Sequence, residues 1–263
     1  MSEAQAQQTF WDHLDALRSV LLRVAVVVVA LGVGFFCAMP WLFDHVVLAP
    51  CHNSFPFYRL LDFLAANSLL PADFSSEAFE LQPVSLQLAS QFFMHVSASC
   101  WAAVVFGFPL IIYLLWGFVA PALYENEKRG TRRAFFFGNI MFYLGVCVGY
   151  FIVFPLVLRF LATYQLSPTI QSVVSLDSYM DNFFMLILVM GAVFELPLLA
   201  WTLGKMGFLT SAFLRKYRRH AIVVLLIVAA LITPTGDPFS LLAVFLPIYA
   251  LWEFSALLVP KNN

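Results

Sequence analysis

One carboxylate, Glu195, stands inside an otherwise apolar stretch, VMGAVFELPLLA. An ionised carboxylate deep in a bilayer costs at least ~2.5 kcal/mol on insertion scales, so it requires a protein or water contact, or a proton. Glu195 therefore indicates either a contact with a partner or a proton or cation site. The competing interpretation is a buried structural hydrogen bond.

Two other acids occur near apolar segments. Glu253, in YALWEFSALL, lies near the end of its segment, where snorkelling or pairing with a basic neighbour is as well supported as a functional role. Asp237, in the tight turn TPTGDPFS, is expected to accept backbone hydrogen bonds. A further pair, Glu125 and Glu127, follows an apolar run in FVAPALYENEKRG and directly precedes basic residues, an unusual place for acids.

Catalytic motifs are missing from the sequence. It contains no H-E-x-x-H, no G-x-S-x-G, no glycine-rich phosphate loop and no pair of aspartates in apolar segments, so we predict no catalytic residues. The histidines and cysteines have no metal-ligand spacing, and neither a metal nor a cofactor is expected. Channels and secondary transporters remain as alternatives for a buried glutamate.

The composition places these residues in a membrane protein. Of 263 residues, 62% are hydrophobic and 11% are charged, and the mean hydropathy is +0.87. A soluble domain of this size needs far more charge to cover its surface. We therefore predict an all-α, polytopic integral membrane protein in which Glu195 is one of few intramembrane charges.

Six apolar stretches are candidates for membrane spans, since about 20 residues cross ~30 Å of hydrocarbon. The fifth has only twelve residues, about 18 Å of helix, and is expected to be a short crossing. Prolines 109, 155, 197 and 247 predict kinked helices and a concave bundle rather than straight rods. The predicted spans are 20–39, 96–118, 135–158, 183–203, 221–232 and 241–259.

The basic residues predict the orientation. Twelve of the fourteen fall on one side of the six spans, which places both termini in the cytoplasm. Residues 1–19 are then a cytoplasmic amphipathic helix, and 44–94 a long outer loop. Within that loop, the apolar spacing of Phe57, Leu60, Leu61 and Leu64 suits a helix along the membrane interface.

Several motifs occur in a set order relative to the spans, and together they resemble the TatC family, the signal-peptide receptor subunits of the twin-arginine translocase. The resemblance covers nearly the whole chain except the outer loop segment 51–83. The motifs are HLDALR, WGFVAPALYENEKR, GYFIVFPLVLRFL, FELPLL, and ITPTGDPFS followed by LPIYALWE.

The resemblance implies a non-enzymatic receptor that organises proton-gradient-driven export of folded proteins. Its expected ligands are twin-arginine signal peptides of precursor proteins. Its expected partners are the single-span subunits TatA and TatB, further copies of the chain and membrane lipid, with no role for nucleic acid. The implied location is the bacterial inner membrane.

The family binds the arginine pair through its N-terminal helix and first cytoplasmic loop. By resemblance, Glu127 takes the motif glutamate position and Phe118 the preceding aromatic position, while Asp15 and Arg18 belong to the N-terminal motif. A carboxylate can meet a guanidinium through two parallel hydrogen bonds, which lysine cannot reproduce.

The chain departs from the family pattern at two positions. The usual acid of the N-terminal motif is replaced by Ala16, and the neighbouring Asp15 is rotated by about 100° along a helix. Glu125 stands where the family often has a base. We therefore expect the second carboxylate of the site to have moved to the first cytoplasmic loop.

The remaining site residues follow from the same resemblance. Glu195 matches an intramembrane glutamate associated with a partner's transmembrane segment, and Tyr150 matches an aromatic residue for which packing is the favoured role. Asp237 and Pro50 match outer positions that support loop structure. Two alternatives stay open: a proton-coupled secondary transporter that uses Glu195, and a purely structural membrane scaffold.

Overall fold

The computed structural model describes residues 10–67, 80–119, 125–164, 166–167, 173–205, 207–233 and 235–259. These residues are almost entirely helical, which confirms the predicted all-α class. The helices are α1 Phe10–Leu42, α2 Pro56–Ala66, α3 Ser90–Val119, α4 Glu125–Val148, α5 Phe154–Thr163, α6 Leu176–Val193, α7 Leu196–Lys205, α8 Ser211–Lys216, α9 Arg218–Ile232 and α10 Pro238–Leu258.

Five helical segments of the described chain are long and apolar enough to cross a membrane. They contain the predicted spans one to four and six. The predicted fifth span lies in α9, whose 15 residues amount to about 22 Å of helix. Its crossing, and with it the cytoplasmic position of both termini, stays a prediction.

The helix bounds differ from the predicted spans in four places. Helix α1 continues without a break through the predicted boundary at residue 20. The third span extends through a π-helical turn, Gly149–Val153, into α5 and ends at Thr163. The fourth begins earlier, at Leu176, and is interrupted between α6 and α7. The end of the predicted outer loop already belongs to α3.

The prolines explain part of this pattern, because a proline supplies no backbone N–H and its ring crowds the preceding turn. Pro155 follows the π-helical turn, and Pro197 follows the interruption at Phe194 and Glu195. Pro109 and Pro247, by contrast, lie inside helices that continue past them, as does Pro40 in α1.

The chain divides into two compact units. The first comprises Met1–Ala38 and Val96–Asn139, that is, most of α1 and α3 and the first part of α4. Inside it, the rings of Phe35 and Phe106 stack with centroids 5.2 Å apart. Gly107 approaches Leu31 so closely that an added Cβ would lie 2.8 Å from that side chain. Small residues on α3 thus let α1 pack against it.

The second unit comprises Met39–His95 and Ile140–Asn263 and contains the larger core. Gly145 and Gly149, one helical turn apart, bring the third span against α6. A Cβ at Gly145 would stand 2.5 Å from the carbonyl oxygen of Met190, and one at Gly149 would stand 3.1 Å from Ile187 Cα. This is the small-xxx-small packing through which membrane helices approach closely.

The predicted outer loop contains a helix, α2, inside the predicted interfacial segment. Tyr58 is completely buried, whereas Leu60 and Phe63 are exposed. The helix therefore packs inward through a tyrosine that the apolar spacing did not single out. An isolated parallel bridge joins Val84 of the same loop to Ser175, just before α6.

Candidate functional site

The predicted signal-peptide-binding residues all fall in the first unit. Asp15 and Arg18 are exposed on α1, and at a spacing of three residues they share one face of the helix. Phe118 is half-buried near the end of α3, and residues 120–124, outside the described part, connect α3 to α4.

Glu125 and Glu127 belong to the first turn of α4, and their side chains lie outside the described part of the structure. The N-terminus of a helix carries partial positive charge and unsatisfied N–H groups, so carboxylates are favourable there. The helix start thus gives both acids a stabilising position next to the basic residues. It also offers a second, structural reason for their presence, which the sequence pattern did not suggest.

Glu195 lies in the second unit, where the helix is interrupted between α6 and α7. Its backbone N–H bonds to the carbonyl of Ala192 at 3.1 Å, and its own carbonyl accepts from Leu199 N–H at 2.9 Å, so the helix resumes at once. Among the described residues, Glu195 is the one carboxylate with a buried oxygen, Oε1, that no donor reaches. The carboxylate is therefore not held by a hydrogen bond within the described part of the chain.

Tyr150 donates from its hydroxyl to the carbonyl of Val46 at 2.8 Å. Tyr179 donates in the same way to Val47, and Tyr58 donates to Pro50 at 2.9 Å. The three tyrosines come from the third span, from α6 and from α2, and all of them bind the backbone that follows α1.

That backbone needs these donors, because it leaves the α-helical pattern. It forms a π-helical turn, Phe43–Val47, and a 3₁₀ turn, Ala49–Cys51. Neighbouring N–H groups satisfy the carbonyls of Leu48 and Ala49. The carbonyls of Val46, Val47 and Pro50 receive the tyrosine hydroxyls instead. Buried carbonyls without a donor are costly, so each hydroxyl supports the shape of this segment.

Tyr150 and Pro50, predicted separately, thus lie in one network. The ring of Phe55 lies edge-on to Tyr150, with centroids 5.4 Å apart, and stacks on Phe151. Sequence reasoning missed Tyr58 and Tyr179. The sequence offers one signal for them: each is a tyrosine in or next to an apolar stretch, and a buried tyrosine hydroxyl needs a hydrogen-bond partner.

Asp237 is the N-cap of α10. Its Oδ1 accepts the backbone N–H of Ser240 at 2.7 Å, and its Oδ2 accepts the Thr235 hydroxyl at 2.7 Å. Partial burial acts to raise the pKa of Asp237, but these hydrogen bonds outweigh it and the pKa lies below its ordinary value. The stabilisation is therefore present above the ordinary carboxyl pKa and is lost as the pH falls through the lowered one.

Glu253 forms an ion pair with Arg218 and accepts the Tyr249 hydroxyl at 3.0 Å. Arg218 lies on α9 and Tyr249 on α10, and both belong to the second unit. Of the two interpretations left open for Glu253, the structure shows the pairing with a basic neighbour. Within the described residues, no three His, Cys, Asp or Glu side chains are grouped as metal ligands.

Comparison with known proteins gives a consistent result. The chain matches the family model of the Sec-independent protein translocase protein (TatC) over residues 12–247. A TatC protein from Blattabacterium sp. subsp. Periplaneta americana is 31% identical over 258 residues, 97% of this chain and 96% of the relative. One from Helicobacter pylori strain J99 is 42% identical over 174 residues, 64% of this chain and 69% of the relative.

Solved structures agree with the sequence relatives. A crystal structure of the twin-arginine translocase receptor TatC covers 94% of this chain and 97% of its own, with a TM-score of 0.72 and 26% identity. A second crystal structure, of the same receptor in DDM, covers 94% of this chain and 99% of its own, with a TM-score of 0.74 and 25% identity.

The tyrosine network predicts the effect of removing one hydroxyl. Tyr150→Phe should lower the free energy of unfolding by about 1 kcal/mol, because the carbonyl of Val46 loses its donor while the ring packing stays. Tyr113→Phe, at an exposed tyrosine of α3, is the matched control and should have no measurable effect. Thermal unfolding of the detergent-solubilised chain checks both, and equal shifts would contradict the role of the network.

Proposed function

The chain belongs to the TatC family of protein translocase subunits, and from that membership we propose that it is a receptor for twin-arginine signal peptides. In this role it binds the signal peptides of folded precursor proteins at the cytoplasmic face. It then organises their proton-gradient-driven export across the bacterial inner membrane. Its relatives are named as protein translocase proteins, a transport role rather than a catalytic one.

The observation that carries the proposal is the pair of acids in the first turn of α4, in the same compact unit as Asp15, Arg18 and Phe118. A guanidinium presents a planar fork of donors that a carboxylate accepts in two parallel bonds. A lysine ammonium is a point charge and lacks that fork. A site built on Glu127 therefore distinguishes arginine from lysine without further chemistry.

Glu125 supplies the second carboxylate in this proposal. Ala16 is exposed on α1 and offers no acceptor, while Asp15 next to it points about 100° away. At a spacing of two residues on α4, the two acids lie about 200° apart around the helix axis, so in this proposal each carboxylate meets a different arginine of the pair. In this proposal, Phe118 adds an apolar surface to the site.

The partners follow from family membership. The chain is a translocase subunit and a multi-pass membrane protein, and we assign TatA and TatB as its single-span partners, with further copies of the chain in the same complex. Glu195 is the proposed contact for a partner's transmembrane helix, since its Oε1 has no donor among the described residues. Six spans with both termini in the cytoplasm remain the proposed topology.

Charge-neutral substitutions of the two acids test the receptor assignment. Glu127→Gln should weaken binding of a twin-arginine peptide at least about tenfold, since hydrogen bonds between charged groups contribute about 1.5–3 kcal/mol. Glu125→Gln should weaken it as well, by a smaller factor. Fluorescence anisotropy of a labelled signal peptide with the full chain in nanodiscs measures both affinities.

Two controls make the result specific. Glu80→Gln, at an exposed acid of the predicted outer loop, should leave binding unchanged. A twin-lysine peptide should bind the unaltered chain much more weakly than the twin-arginine peptide. Equal binding of the two peptides would exclude the receptor assignment, whereas an unchanged affinity in Glu125→Gln alone would exclude only the second carboxylate.

Photocrosslinking locates the peptide. A benzoylphenylalanine at position 118 should label the twin-arginine peptide and give less product with the twin-lysine peptide. Position 92, an exposed phenylalanine at the other end of α3, is the matched control and should give no label. Equal labelling from the two positions would contradict a site near Phe118.

A further inference from the structure

A second basic region lies far from the proposed peptide site in the chain. Between Lys205 and Arg219 there are five basic residues, and the whole stretch 196–233 contains no Asp or Glu. The stretch covers the end of α7, the short helix α8 and the start of α9. It belongs to the second unit, whereas the predicted peptide-binding residues belong to the first.

Contacts with the end of α10 hold helix α8 in place. Its N-cap, Thr210, accepts the backbone N–H of Phe213, and the Ser211 hydroxyl donates to the carbonyl of Ala256 at 2.8 Å. Leu214 is buried in a small cluster with Ala256 and Val259. These contacts fix one face of α8 against the end of α10. The opposite face of α8 therefore has a fixed orientation, away from α10.

Aromatic rings are exposed on α8 and in the residues on either side of it. Phe208 is 75% exposed, Phe213 49% and Tyr217 37%. The rings of Phe213 and Tyr217 lie 4.5 Å apart. Large apolar side chains grouped in this way on a surface mark contact with another apolar phase or with a partner. We call the stretch from Lys205 to Arg219 the basic–aromatic segment.

The charges of the segment are mostly uncompensated. Arg218 is paired with Glu253, and Lys205 lies over the ring of Trp201, 4.2 Å from its centroid. Within the described residues, Arg215 and Arg219 have no ion-pair partner, and Lys216 contacts only the ring of Tyr217. As far as the described part of the chain shows, three cations therefore remain available to an anionic ligand.

The surrounding surface points to the kind of ligand. The basic–aromatic segment adjoins the ends of two apolar helices, α7 and α10, whose Leu203 and Leu257 are also exposed. A free anion or a wholly acidic protein surface would pair with the bases but would leave these apolar side chains in water. A phospholipid layer covers the apolar side chains with acyl chains and meets the bases with headgroup phosphates.

We propose that the basic–aromatic segment is a binding surface for anionic phospholipid headgroups, with Arg215, Lys216 and Arg219 meeting the phosphates and Phe208 and Phe213 entering the acyl layer. The surface lies in the leaflet that the proposed topology makes cytoplasmic. The proposal does not depend on signal-peptide binding, because its residues are separate from those assigned to the receptor role.

Lipid retention tests the proposal. The full chain is released from micelles that contain equal amounts of phosphatidylglycerol and phosphatidylcholine, and bound lipid is counted by native mass spectrometry. The unaltered chain should retain phosphatidylglycerol in preference. The double variant Arg215→Gln, Arg219→Gln should bind phosphatidylglycerol about 25-fold more weakly, since each base near an anionic surface contributes a factor of about five.

Matched variants separate this site from a general effect of charge. Arg23→Gln with Arg59→Gln removes two exposed bases elsewhere and should leave retention unchanged. Phe208→Ser should weaken the binding of phosphatidylglycerol several-fold, whereas Phe92→Ser should leave that binding unchanged. Thermal unfolding of each variant confirms that it is folded.

Three results would overturn the proposal. The first is an unaltered chain without preference for phosphatidylglycerol, which would leave an acidic protein as the occupant. The second is an equal loss in both arginine double variants. The third is full displacement of the lipid by glycerol 3-phosphate at the same concentration, which would show that the segment binds free anions alone.

Discussion

The hydrocarbon of a bilayer offers no hydrogen bonds, and the structure depends on how each polar group meets that constraint. The backbone after α1 leaves the helical pattern, and three tyrosine hydroxyls supply donors to the carbonyls of Val46, Val47 and Pro50. These tyrosines come from three different parts of the chain. The contacts that satisfy the backbone therefore also join the predicted outer loop to the third span and to α6 within the second unit.

The carboxylates meet the same constraint in different ways, and this separates structural from functional residues. Asp237 caps α10, and Glu253 is paired with Arg218 and bound by Tyr249. Glu195 alone among the described carboxylates keeps a buried oxygen without a donor. Because its buried oxygen has no donor among the described residues, Glu195 has an acceptor to offer to a second helix. That is the role we propose for it in a translocase subunit.

Much of the fold could be predicted because hydropathy and periodicity are local properties. The long apolar stretches indicated the helices. Of the four prolines predicted to bend or break them, two lie at the starts of α5 and α7, and the other two lie inside helices that continue past them. The tyrosine contacts could not be predicted, since Tyr150 binds a carbonyl 104 positions away and Tyr179 one 132 positions away. The pairing of Arg218 with Glu253 likewise depends on how α9 lies beside α10. The acids proposed to bind the signal peptide were predicted from a resemblance to a family motif, and their position at the start of α4 became visible only in the structure.

The unpaired carboxylate gives the most direct test, through Glu195→Leu measured in two ways on the same sample. If Glu195 serves a partner, leucine should leave the isolated chain at least as stable to heat, because a buried group without a donor is removed. The same variant should lose most of the single-span subunits that co-purify with the tagged chain, and Glu195→Gln, which can still hydrogen-bond, should keep them. A destabilised chain that retains its subunits would contradict the account, because Glu195 would then be a structural residue.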